Sequence, residues 1–186
     1  MTRRRALTGI AAFAAWIVLT GQQAARRWQG GHGGDRVLHS NDQDLGSGEV
    51  AVALANQLGK ILPESGARAV REPDAARIAS VMSMQQSAVA VIAYDLAQEM
   101  YRGAAQFQAV GPIELRVLVE NYKYQVVCRA EFDRNNAYLI VQALMKDPEP
   151  LKLTVPDRPV DPANRNGIPA HPGALSFLNG ESPDIK

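Results

Sequence analysis

An α/β domain with a mostly parallel sheet is the fold class this sequence predicts, and three observations carry the prediction. Between residues 36 and 94, strand-like and helix-like segments alternate strictly, which is the grammar of consecutive β-α-β units. The run Ser87-Ala88-Val89-Ala90-Val91-Ile92-Ala93-Tyr94 is almost uninterruptedly apolar, as a strand covered on both faces must be. With 186 residues, 46% of them hydrophobic and 21% charged, the chain can bury the core of one domain.

The elements follow in chain order. Arg3-Arg4-Arg5 and the apolar run Ala6 to Gly21, broken only by Thr8 and Thr20, read as the basic and apolar regions of an export signal. At sixteen residues the run falls short of the roughly twenty that a bilayer span needs. Gln22 and Gln23 spoil the small-residue cleavage site and Arg26-Arg27 follow, so an anchor retained in the inner membrane stays open beside a cleaved signal. Residues 1–28 are therefore set apart as signal or anchor. Residues 29–35, with Gln29-Gly30-Gly31-His32-Gly33-Gly34, form a glycine-rich linker in which His32 has no second ligand at metal-binding spacing.

The folded body is expected over 36–178. Arg36 to Ser40 opens it as a strand, and the polar loop Asn41 to Gly48 leads into a helix from Glu49 to Leu62, capped by Ser47. Val50, Leu54, Leu58, Ile61 and Leu62 recur there at three- and four-residue steps, and Pro63 and Gly66 stop it. Ala67 to Arg71 reads as a second strand, Asp74 to Met82 as a second helix, Ser87 to Tyr94 as the third strand and Leu96 to Arg102 as a helix capped by Asp95. Ile113 to Glu120 and Tyr122 to Arg129 are further strands. Asp133 caps a mostly apolar helix reaching Met145. Prolines between Asp147 and Gly167 predict a surface course; a turn rigidified around His171 and a short apolar helix follow, and 179–186 is expected to fray.

Several function classes find no support. A formal charge of +1, without a basic stripe or interleaved aromatics, gives no reason to expect nucleic acid as a partner. Cys128 is the single cysteine and cannot close an intramolecular disulfide; behind Val126-Val127 it reads as a small buried hydrophobe. No Gly-x-Ser-x-Gly elbow, phosphate loop, His-Glu-x-x-His helix or Cys-x-x-Cys pair occurs, so neither an enzyme nor a cofactor is expected.

The stretch Ile168-Pro169-Ala170-His171-Pro172-Gly173-Ala174, followed by Phe177, resembles the closing segment of the extracytoplasmic solute-binding receptors of TRAP transporters, TAXI subfamily. The order of elements from Gly46 to Tyr94 is similar to that family's first lobe, and Asp133 to Met145 to its late helix. The resemblance implies a type II periplasmic-binding-protein-like fold, a periplasmic location, and delivery of a small organic solute, such as a carboxylate, to membrane transporter subunits. The departure is one of length. A complete receptor would continue after Arg129 with a second lobe, on the order of another domain. This chain passes directly to the late helix, which leaves a single lobe that can make a two-lobed cleft only as a homodimer.

Such receptors hold carboxylates with helix N-termini, backbone amides and an Arg. Ser47, at the loop before the first helix, and Tyr94 and Asp95, at the carboxyl end of the apolar strand where open α/β sheets place ligands, are the candidate site residues. His171 is the fourth. Each also has a plain structural reading: helix caps for Ser47 and Asp95, packing for Tyr94, and a backbone hydrogen bond fixing the turn for His171. The family's glycine-rich loop is replaced here by one bearing Asp42 and Asp44, with Glu49 beyond, acids that repel a carboxylate and do not complete a calcium loop. The competing expectation is a one-lobed exported interaction or sensory module that has lost solute binding.

Overall fold

The computed structural model describes residues 37–160 and 167–181. The expected signal segment, the linker with His32, residues 161–166 and the last five residues lie outside the described residues. In chain order the elements are β1 (Val37–Asn41), α1 (Leu45–Ile61), β2 (Arg68–Glu72), α2 (Ala75–Ser83), β3 (Val89–Ala93), α3 (Tyr94–Arg102), β4 (Leu115–Glu120), β5 (Tyr124–Arg129), α4 (Arg134–Leu144) and α5 (Pro172–Leu178). No helix among the described residues is long and apolar enough to cross a membrane.

The strands form one sheet in the order β2-β1-β3-β5-β4. β1 runs parallel to both β2 and β3, whereas β5 is antiparallel to β3 and to β4. The architecture is thus α/β, and the sheet is mixed: its core of β2, β1 and β3 is parallel as expected, and β5 alone runs against the rest. The cause is the short connection between β4 and β5, since a link of three residues can join only antiparallel neighbours. Asn121 builds that turn: its Oδ1 accepts the backbone N–H groups of Lys123 at 2.9 Å and Tyr124 at 2.7 Å. Both strands complete the same sheet as β1 to β3.

Both faces of the sheet are covered, as the apolar third strand requires. On one face Ile78 and Met82 of α2, Met100 and Tyr101 of α3, and Phe107 pack onto Ala90, Ile92, Val117 and Val127. On the other, α1 packs against β1, β2 and β3 and meets α4, where Gln57 Nε2 donates to Leu144 O at 2.7 Å. Gly173 lets the first turn of α5 press onto α4, because a Cβ there would sit 2.3 Å from Arg134 O. Cys128 is buried, and burial pushes its thiol pKa up, so it is the inert hydrophobe its neighbours predict.

The two sheet edges are treated differently. β2 is flanked by the exposed side chains of Arg68 and Arg71, charges that discourage pairing with another strand. β4 is covered by later parts of the chain. Val117 N–H donates to Pro169 O at 2.8 Å, His171 N–H returns to Val117 O at 2.8 Å, and Glu120 and Thr154 exchange two backbone bonds of 2.9 and 2.8 Å. Glu181, expected to lie in a frayed end, is held by Ser176 Oγ at 3.0 Å and Arg134 at 3.3 Å.

Candidate functional site

β1 lies between β2 and β3, so the chain leaves β1 through α1 to one neighbour and reaches the other only after α2. This reversal of strand order makes the carboxyl ends of β1 and β3 a topological switch point, the place where open α/β sheets form a ligand-binding crevice. The N-termini of α1 and α3 both start there.

Those two starts differ from the others. Asp74 Oδ1 accepts from Arg77 N–H at 2.7 Å to cap α2, Asp133 Oδ1 accepts from Asn136 N–H at 2.8 Å to cap α4, and His171 Nδ1 accepts from Gly173 N–H at 3.0 Å to cap α5. At α1 and α3 the capping positions are Asp44 and Ala93, and neither side chain caps. The first-turn amides and the aligned peptide dipoles give each start a partial positive charge that suits an anion or a carbonyl oxygen, although Ser47 N–H is already held by Asp44 O and Tyr94 N–H by Lys123 O.

Asp44 does not cap because its carboxylate is engaged elsewhere: Tyr124 Oη donates to Asp44 Oδ1 at 2.9 Å. Gly46 makes room for this bond, since a Cβ there would fall 2.2 Å from the hydroxyl. Burial of the ring raises the Tyr124 pKa, with the bond to Asp44 acting in the same direction, so the hydroxyl stays a donor. Asp42 lies 3.6 Å from Arg71, whose guanidinium rests against Gly48. Two of the three acids expected to repel a carboxylate therefore have partners of their own.

Ser47, expected as the cap of a helix beginning at Glu49, lies inside α1, which starts four residues earlier. Its fully buried Oγ donates to Asp44 O at 2.8 Å and accepts Asn41 N–H at 3.3 Å, tying the end of β1 to the helix start. Asp95 is likewise no cap: α3 begins at Tyr94, and Asp95 stands exposed in its first turn. Tyr94 is 41% exposed and donates its backbone N–H to Lys123 O at 3.0 Å. Ser47, Tyr94 and Asp95 thus share the carboxyl end of the sheet, with Leu45 (65% exposed) and Tyr122 (87%) on the same rim.

His171 stands apart from them, beside β4. It is 1% exposed, and both ring nitrogens are used. Nδ1 accepts from Gly173, so Nε2 carries the proton and donates to Phe132 O at 2.9 Å. Burial pushes its pKa down to about 4, leaving a neutral imidazole. Tyr124 and Lys123 escaped the sequence reading because only the pairing of Ala93 with Tyr124 brings them to the crevice.

Among the described residues no group of three potential metal ligands is clustered. No protein-family model and no curated protein matches the chain.

Proposed function

We propose that this chain is an extracytoplasmic solute-binding protein, a one-lobed relative of the TRAP-transporter receptors of the TAXI kind, which passes a small organic acid to membrane transporter subunits. One observation carries the reading: the two helix starts that open on the β1–β3 crevice lack side-chain caps, whereas α2, α4 and α5 are capped. Supporting it are the order of elements through β3 and the way the His171 turn packs back on the only sheet of the described residues. A single lobe leaves the crevice open on one side. In this reading a second copy of the chain closes it.

The test is a thermal-shift screen of the purified chain against small carboxylates, amino acids and amines. A solute at a hundred times its dissociation constant adds about 2.7 kcal/mol, a visible rise in Tm. Tyr94→Ala is expected to weaken the response to any solute that binds. A folded protein that responds to none of the carboxylates would overturn the reading.

A second reading has its own observation. Leu45, Tyr94 and Tyr122 expose large apolar side chains on one end of the molecule, which suits an exported interaction module. It predicts the same absence of solute response, with binding of a protein partner abolished by Tyr122→Ser.

A further inference from the structure

Three buried polar atoms near the start of α3 have no hydrogen-bond partner among the described residues: Nε2 and Oε1 of Gln98, and Oε1 of Gln125. Gln98 is 8% exposed and Gln125 is fully buried. Leaving such a group unpaired forfeits its hydration without return, so native proteins seldom do so without a reason.

The fold brings the two amides to the same level. Gln125 pairs with Ile92 on one side and Glu120 on the other, one residue in from the carboxyl end of β3. Its Nε2 donates to Glu120 Oε2 at 2.7 Å, and Arg158 neutralises that carboxylate through Oε1 at 3.0 Å. α3 packs over β3 and β5 and runs back along them from Tyr94. Gln98 lies four residues into the helix, about 6 Å along its axis. Helical side chains lean toward the N-terminus, which returns the amide to the level of Ile92 and Gln125. Ala97 and Tyr101 point into the core. Gln98, about 100° further round from Ala97, lies buried on the flank of this helix, which packs on both β3 and β5.

We propose that Gln98 and Gln125 form a subsite for a neutral primary carboxamide group beneath the first turn of α3. The free atoms set the chemistry. Nε2 of Gln98 needs an acceptor, and its Oε1 and that of Gln125 each need a donor. A primary carboxamide supplies one C=O and two N–H bonds. Its C=O and one N–H pair with Gln98 in a cyclic amide–amide contact, and its second N–H is left for Gln125 Oε1. A carboxylate brings acceptors only and leaves both oxygens unsatisfied. This inference rests on the solute reading for the rest of the ligand, and identifies that solute as an acid that also carries an amide.

The test compares matched pairs, succinamate with succinate and glutamine with glutamate, by calorimetry. Acetamide and urea, which carry no anion, are titrated separately while the side-chain amide resonances of Gln98 are followed by NMR. The amide member is expected to bind at least ~10-fold tighter, and Gln98→Leu to bring the pair to parity while sparing the acid, as sites built for a hydrogen-bonding group do. The variant folds, because an apolar side chain of similar size replaces an unpartnered one. Acids that bind as well as their amides, with unmoved Gln98 resonances, overturn the subsite and leave the solute reading standing. Resonances moved by acetamide without any acid binding uphold the subsite and sink the solute reading. No response to any probe sinks both.

Discussion

His171 shows how one side chain can be read for its chemistry and its task. Prolines at 169 and 172 fix the backbone around it, and Gly173 leaves an N–H within its reach, so a structural role was legible in the sequence. Its titration follows from burial. The native pKa of about 4 lies below the ordinary 6.5, so between these values the unfolded chain binds a proton that the native state refuses. Stability is therefore full above pH 6.5 and falls as pH drops toward 4, by roughly 3 kcal/mol if this group acts alone. Urea unfolding at pH 7.5 and pH 4.5 should show the decline, and His171→Ala should flatten it. That variant should cost about 2–3 kcal/mol at neutral pH, because it removes the α5 cap and strands Phe132 O. Ser47 was less legible. A four-residue shift in the helix start turned an expected cap into a buried staple, and no local pattern distinguishes the two.

Capping divides the helices into two kinds, and stability should divide with them. Asp74→Ala and Asp133→Ala are each expected to lower stability by about 1 kcal/mol. Ala93→Ser places a capping side chain at the start of α3 and should raise stability by about 0.5–1 kcal/mol while weakening solute binding, measured as Tm with and without solute. A gain in both would mean that the α3 start holds nothing. The same division explains what the sequence revealed. Asp74 and Asp133 stand before apolar periodic runs and mark their helices to within a residue. α1 and α3 began earlier than expected because an uncapped start carries no capping residue to read. The β4–β5 hairpin was missed although both strands were located, because its turn is made by the Asn121 side chain rather than by a Gly-bearing pair.

For the molecule as a whole, the parallel half of the sheet was legible and the antiparallel half was not. Alternating strand and helix signals encode β1 to β3, whereas the place of β5 between β3 and β4 depends on pairings between residues far apart in sequence. In the proposed reading the crevice at the parallel half is closed by a second copy of the chain. Light scattering of the chain with a saturating solute should show the mass doubling relative to the solute-free protein, and an unchanged mass would mean that the single lobe binds without a second copy. The covering of β4 bears on time rather than on energy. Val117 receives its outer partners from Pro169 and His171, about fifty residues further along the chain. During synthesis, every residue up to α4 can be present while that strand still offers a bare edge to its surroundings. A ribosome that stalls before Ile168 therefore releases not a shorter version of this protein but a sticky one, and its fate rests with whatever chaperone or protease reaches the edge first.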